Sequence, residues 1–177
     1  MDGRGDPTGF EMDSVEALTA AGFEGFVSVT DLLSQKCAQV PAAPGVYLVL
    51  RPDATPPRWL DRSTGYHFKR RDPGMSPGRL LETWLPAAIL LYIGKAGTAS
   101  GKASLRSRLL SYVRFGAGEP AAHWGGRYIW QLGNSCDLLV AWKTTVVGRD
   151  PRVEERALIE DFKVRYGGRR PFANLRE

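Results

Sequence analysis

Three short apolar runs stand out against the polar and glycine-rich background of the chain. GVYLVL (45–50) and AILLYIG (88–94) are rich in β-branched and aromatic residues, and CDLLVAWKTT (136–145) alternates between apolar and polar positions. Runs of this length and composition are typical of β-strands. The pattern therefore predicts a small antiparallel three-stranded β-sheet.

The residues before the first predicted strand carry two helix signals. A Ser-Val-Glu segment typical of a helix start predicts a helix over roughly 14–21. A second helix, capped by Thr30 or Asp31, is expected to run through Cys37. We therefore expect residues 1–43 to form an N-terminal helical extension.

Two longer helices are expected after the second and third strands. The segment LRSRLLSYVRF predicts a helix over 105–115, and Asp150-Pro151 is a strong helix start, followed by a helix to about Tyr166. Together the elements predict an α+β fold, in which helices flank the sheet of a main domain at 44–177.

Residues 51–86 separate the first two strands and are rich in proline, glycine and arginine. A loop of this length is uncommon in a compact domain unless it is functional. Its aromatic groups can stack on bases while its cations contact phosphates. Alternatively it covers the core with its aromatic side chains, or it is a docking surface for a protein. The alternating aromatic and basic residues are Tyr66, His67, Phe68, Lys69, Arg70 and Arg71.

Charge is distributed unevenly along the 177 residues, whose net charge is +5. The first 31 residues carry seven acidic residues and one basic residue, whereas residues 91–118 carry five basic residues and no acidic one. A segment of one sign suits a polyanion such as nucleic acid. The alternative is a solvated face that the acidic N-terminus balances. The five basic residues are Lys95, Lys102, Arg106, Arg108 and Arg114.

Several protein classes fit the composition poorly. Cys37 and Cys136 have no CxxC partner, and two histidines are too few to support a structural zinc site, so neither zinc nor a disulfide framework is expected. No apolar run approaches the length of a membrane-spanning helix. The N-terminus is polar and acidic, unlike a secretory signal. We expect a cytoplasmic protein with no membrane partner.

A carboxylate lies on the apolar face of the last predicted helix. Glu155 shares its face with Leu158, Ile159 and Phe162, whereas Glu160 lies on the polar side. Burying a carboxylate is costly without a partner or a metal ion. The alternative is a structural acid that is stabilised by the helix dipole at the first turn.

The preceding helix carries an arginine beside its apolar stripe. Arg108 and Tyr112 are four residues apart and project from one side of the helix. An arginine in this position either extends its head group to solvent along the apolar surface or binds a phosphate or carboxylate through two hydrogen bonds.

These residues, taken in order, resemble the GIY-YIG nuclease family. Gly45-Val46-Tyr47 and Tyr92-Ile93-Gly94, followed by Lys95, resemble the two strand motifs. An arginine-bearing helix, a glutamate-bearing helix and a terminal asparagine resemble the rest, at Arg108, Glu155 and Asn174. The resemblance covers most of the chain, although the family usually has a much shorter segment between its two tyrosines.

The resemblance implies a metal-dependent endonuclease that hydrolyses phosphodiester bonds in DNA. Glu155 would hold one divalent ion, Mg²⁺ or Mn²⁺, and Arg108 would stabilise charge on the reacting phosphate. Tyr47 or Tyr92 would orient or deprotonate the attacking water, which requires a lowered tyrosine pKa. Lys95 would supply positive charge.

The remaining motif residues are expected to support this site. Gly45 belongs to the first motif, Gly94 would let a substrate backbone approach, Tyr112 would join the network, and Asn174 would orient the tail or a phosphate. The alternative function is a nucleic-acid-binding module of the same fold without turnover. Further nucleic-acid contacts are expected from Lys69, Arg70, Arg71, Lys102, Arg106 and Arg114.

Overall fold

The computed structural model describes residues 12–98 and 103–175. Within those ranges the chain forms an α+β fold of five α-helices and four β-strands, joined by three short 3₁₀-helices at Phe68–Arg70, Arg127–Gln131 and Ser135–Asp137. The helices and strands in chain order are α1 (Val15–Ala20), β1 (Glu24–Ser28), α2 (Val29–Ser34), β2 (Gly45–Leu50), α3 (Pro77–Thr83), β3 (Leu90–Ala96), α4 (Leu105–Gly116), β4 (Leu139–Thr144) and α5 (Pro151–Arg165).

The four strands form one antiparallel sheet in the order β1-β4-β2-β3. The predicted count of three strands was wrong, because β1 of the N-terminal extension pairs with β4 at one edge. β2 lies inside the sheet and brings two motif residues opposite each other, since Tyr47 pairs with Gly94 on β3 and with Trp142 on β4.

β1 lacks a regular strand pattern because its backbone is irregular. Gly25 and Phe26 have φ angles of 95° and 53°, and the register shifts between Gly25 and Val27. A Cβ atom on Gly25 would lie 2.5 Å from the Trp142 ring, so only glycine fits beneath that indole. The bulge disrupts the alternation by which a strand is recognised in a sequence.

The helix predictions are confirmed for α1, α4 and α5, within one or two residues at each end. The second helix was misplaced: Ser28, rather than Thr30 or Asp31, accepts the capping hydrogen bond, and α2 ends at Ser34. Cys37 follows it with a φ of 55°. No helix in the described part of the chain is long and apolar enough to cross a membrane.

Both faces of the sheet are covered, so every residue of β2 is buried. Tyr47 and Val49 face a core shared with α2 and α4. Val46 and Leu48 face the opposite core, which α5 closes with Leu158, Ile159 and Phe162. Because α4 and α5 lie on opposite faces, side chains from both helices can meet only near an edge or end of the sheet.

The 51–86 insertion is folded onto the main domain. Arg51, which is 5% exposed, donates a hydrogen bond of 2.9 Å to the Ala88 carbonyl and stacks on Trp84, so it ties the two ends of the insertion together. Trp59 and Trp84 pack against Phe172 near the C-terminus. This packing fits the interpretation of a covering loop for these aromatic residues.

Candidate active site

Three tyrosines from three elements form a triangle beneath one end of the sheet. Tyr47 comes from β2, Tyr92 from β3 and Tyr112 from α4. Their ring centroids are 5.9 Å, 6.0 Å and 6.1 Å apart. Tyr47 and Tyr112 are fully buried, while Tyr92 is 7% exposed and lines a surface cleft. The triangle thus forms a rigid aromatic floor at the edge of solvent.

The cleft beside Tyr92 has a volume of about 420 Å³ and brings together four of the predicted site residues. Tyr92 and Lys95 come from β3, Arg108 from the first turns of α4, and Glu155 from α5. Residues as far apart along the chain as Tyr92 and Glu155 therefore converge on one opening. The wall also includes Ala96, Gly97, Thr98 and Ala103.

Arg108 connects the cleft with the tyrosine triangle. Its Nε atom is shielded from solvent and has no hydrogen-bond partner among the described residues. Its positive charge acts on Tyr47, on Tyr92 and on Glu155. A buried guanidinium N–H without a partner is costly. Such a group is well placed to receive an anionic ligand.

Glu155 is a half-buried carboxylate that faces cations without touching them. Burial raises the pKa of Glu155, and the positive charges of Lys95, Arg108, Arg152 and Arg156 counteract that rise. Glu155 makes no ion pair with any residue in the described ranges. The predicted contrast with Glu160 is confirmed, because Glu160 is exposed and bonds Lys163 at 2.8 Å.

The three tyrosines do not have the lowered pKa that a proton-accepting phenol needs. Burial raises the pKa of Tyr47, and Arg108 offsets the rise only partly. Burial also raises the pKa of Tyr92 and Tyr112 well above the usual range. Burial thus works against the expected deprotonation of water by Tyr47 or Tyr92, whereas the expected alternative of orienting that water needs no lowered pKa. Tyr92 at the cleft is suited to donate a hydrogen bond.

Gly94 has a packing role that the sequence did not predict. A Cβ atom at this position would lie 2.4 Å from Cζ and 2.6 Å from Oη of Tyr47. Gly94 therefore makes room for the Tyr47 ring. Gly45 is equally constrained, because its Cβ would lie 2.3 Å from the Lys143 carbonyl oxygen. Both glycines serve strand packing.

Asn174 holds the free edge of β3 in place. Its Oδ1 accepts a hydrogen bond from the Ile93 N–H, and its Nδ2 donates one to the Ile93 carbonyl, both at 2.8 Å. Ala173 N–H donates to the Leu91 carbonyl beside it. The side chain mimics a strand partner, so Asn174 orients the tail and fixes the backbone between Tyr92 and Gly94.

The other predicted nucleic-acid contacts that the structure describes do not line the cleft. Arg106 donates to the Val40 carbonyl at 2.8 Å, and Arg114 pairs with Glu119 at 2.6 Å, about 9 Å further along α4 than Arg108. The insertion approaches the far end of α4, where the Tyr66 N–H donates to the Phe115 carbonyl. Lys69, Arg70 and Arg71 belong to that region, and Lys102 lies outside the described residues.

A histidine and two glycines beside the triangle escaped the sequence analysis. His123 is 1% exposed and its ring lies 4.6 Å from that of Tyr112. Neither ring nitrogen makes a well-formed hydrogen bond with a described residue. Burial, reinforced by the positive charge of Arg108, lowers the pKa of His123 to about 3. At neutral pH the imidazole is therefore uncharged.

The glycines after His123 allow the chain to cover Tyr92. A Cβ on Gly125 would lie 2.7 Å from the Tyr92 Oη, and one on Gly126, whose φ is +69°, would lie 2.9 Å from Tyr92 Cε1. The Tyr112 hydroxyl donates to the Gly126 carbonyl at 3.4 Å. The signal in the sequence was the His-Trp-Gly-Gly segment at 123–126, and it did not show that these residues contact Tyr92 and Tyr112.

Comparison of the chain with protein-family models, with curated proteins and with solved structures found no match.

Proposed function

We propose that the protein is a metal-dependent endonuclease that hydrolyses phosphodiester bonds in DNA. The observation that carries the proposal is the convergence of Tyr92, Lys95, Arg108 and Glu155 on one cleft. A carboxylate that faces two cations across an opening is an arrangement suited to a bound phosphate and its counterion. The ordered resemblance of these residues to the GIY-YIG motifs supports the same conclusion.

The metal-ligating side chains at the cleft fit a site in which the substrate's phosphate supplies part of the metal's coordination. Glu155 is the one carboxylate in the cleft wall, and the described residues contain no group of three or more metal-ligating side chains. Mg²⁺ commonly keeps several waters and binds one carboxylate together with substrate phosphates. Glu155 would hold such an ion, which supplies Lewis-acid stabilisation of the phosphate when it is bound.

The chain's own residues would divide the remaining work. Arg108 stabilises negative charge that develops on the phosphate, because its guanidinium is fixed between the cleft and the buried triangle. Lys95 neutralises a second phosphate oxygen, and Tyr92 donates a hydrogen bond that orients the attacking water or the phosphate. Because the tyrosine pKa values are raised, the proton of that water goes to solvent or to a substrate oxygen rather than to a phenol.

The test is cleavage of supercoiled and branched DNA with Mg²⁺ or Mn²⁺. Wild type and Glu160→Ala are expected to nick the DNA, and Glu155→Ala is expected to lose nicking. Glu160 is the matched control, because it lies on the same helix in an exposed ion pair. Equal cleavage by all three proteins would show that Glu155 is not part of the site.

A nucleic-acid-binding module without turnover is the second candidate. The observation that favours it is that the described residues contain no group of three or more His, Cys, Asp or Glu side chains that could hold a metal ion. Salt-sensitive DNA binding in EDTA, with no cleavage by wild type on any substrate, would favour this candidate over the nuclease.

A further inference from the structure

A tight turn beside the cleft presents exposed apolar side chains. We call residues Val146–Arg149 the valine turn; the Arg149 N–H donates to the Val146 carbonyl at 3.0 Å, and Gly148 has a φ of +85°. Val147 at its tip is 99% exposed and Val146 is 70% exposed. Two of the six exposed large apolar residues of the described chain lie in this turn, and a third, Val153 on α5, is 69% exposed and lines the same groove as Val146. Such clustering marks an interaction surface.

The valine turn lies at the same end of the sheet as the cleft. The Thr145 N–H donates to the Pro44 carbonyl at 3.0 Å. Pro44 in turn lies against Gly97, where its Cβ is 3.0 Å from the position of an added Cβ. Gly97 lines the cleft. A ligand that fills the cleft and extends past it would therefore reach the turn.

Helix α5 connects the cleft with a groove under the turn. Glu155 faces the cleft, whereas Val153 and Ala157 face the groove, which has a volume of about 570 Å³. At about 100° per residue, Arg152 and Arg156 fall between Glu155 and Val153 around the helix axis. Two arginines thus form a ridge between the cleft and the apolar groove.

The charges on this surface favour a polyanion. Glu154 is bound to Lys143 at 3.1 Å, and Asp150 accepts the capping hydrogen bond of α5 at 2.9 Å. The acidic groups are therefore engaged locally. By contrast, three arginines of the ridge and of the turn form no ion pair with any residue of the described ranges, although two of them, Arg152 and Arg156, act electrostatically on Glu155. The third is Arg149.

We propose that the valine turn enters the minor groove of duplex DNA, with Val147 wedged against a base step while Arg149, Arg152 and Arg156 contact phosphates. The inference rests on the proposed function, because the cleft places the turn beside the scissile phosphate. Apolar side chains at the minor groove unstack base steps and bend the duplex. Unpaired arginines beside them supply the sequence-independent affinity.

The first test measures binding of the full chain to a short duplex that carries 2-aminopurine, in EDTA so that no cleavage occurs. Val147→Ala removes two carbon atoms and is expected to weaken binding by about five- to tenfold, and to abolish the fluorescence increase that reports unstacking. Val164→Ala is the matched control, because Val164 is 85% exposed near the other end of α5. It is expected to match wild type.

The second test measures salt dependence. The double variant Arg152→Ala/Arg156→Ala is expected to lower the slope of log affinity against log salt by about two, one for each lost phosphate contact. Arg114→Ala, which removes an arginine already paired with Glu119, is expected to keep the slope.

The outcomes separate this inference from the proposed function. Binding and unstacking that depend on Val147, without cleavage in Mg²⁺ or Mn²⁺, would support the wedge and overturn the nuclease. Cleavage by wild type with an unchanged affinity for Val147→Ala would overturn the wedge alone. Concentration-dependent self-association that Val147→Ala abolishes would assign the turn to a second copy of the chain and overturn the wedge. A wild type without duplex affinity would overturn both.

Discussion

Gly94→Ala tests whether this glycine makes room for Tyr47 or for a substrate. The added Cβ would lie 2.4 Å from Tyr47 Cζ and 2.8 Å from Cε1. The ring cannot move aside easily, because Tyr47 is fully buried and two more tyrosine rings lie about 6 Å away. Overpacking of this kind costs up to about 3 kcal/mol, and alanine recovers about 0.5–1 kcal/mol of chain entropy.

The net loss of up to about 2.5 kcal/mol corresponds to a melting temperature lower by up to about 10 °C for a domain of this size. The assay is thermal and urea unfolding of wild type and variant. Gly78→Ala in α3 is the control, because its Cβ would meet nothing within 4 Å; it is expected to keep or increase stability.

A double-mutant cycle identifies the contact. In the Tyr47→Leu background, Gly94→Ala is expected to cost less than about 0.5 kcal/mol, because the ring that obstructs the new methyl group is gone. Unchanged stability of Gly94→Ala together with lost DNA cleavage would refute the packing argument. That result would restore the expectation that Gly94 serves substrate approach.

Three further predictions concern titration and the strand edge. Lowering the pH from about 7 to about 5 should destabilise wild type by about 2 kcal/mol, because His123 has a pKa of about 3 in the fold and the unfolded chain binds the proton first. In unfolding measurements across this pH range, His123→Phe should lack this loss of stability. Glu155→Gln should raise the free energy of unfolding of the metal-free protein at neutral pH, because burial raises the pKa of Glu155. The gain should vanish as the pH falls through the ordinary carboxyl range. An equal gain at neutral and at acidic pH would contradict this prediction. Asn174→Ala should cost about 2–4 kcal/mol by orphaning both backbone groups of Ile93, measured as a lower urea midpoint, whereas an unchanged midpoint would show that the tail does not hold β3.

The sequence predicted those elements that are determined by neighbouring residues, such as a helix cap or an apolar helix face. The face of α5 that carries Glu155 could be predicted because helical geometry fixes which residues share a side. Its start could be predicted because Asp150-Pro151 is a direct capping signal. β1 could not, because the left-handed Gly25 and Phe26 interrupt the strand pattern.

The roles of residues that depend on strand register or on long-range packing could not be predicted from the sequence. The pairing of Tyr47 with Gly94 follows from strand register, which a sequence does not state. The raised tyrosine pKa values follow from three rings that bury one another. His123 joins them from a loop without a strong pattern, so its place depended on the tertiary fold.

The most direct test of the cleft as a catalytic centre is the single-turnover rate of DNA cleavage in Mg²⁺ for Arg108→Ala and Arg106→Ala. The two residues lie on the same helix, but Arg108 lines the cleft whereas Arg106 bonds the Val40 carbonyl. We predict a loss of roughly a hundredfold or more for Arg108→Ala and a rate near wild type for Arg106→Ala. Equal rates for both variants, or a greater loss for Arg106→Ala, would contradict the assignment.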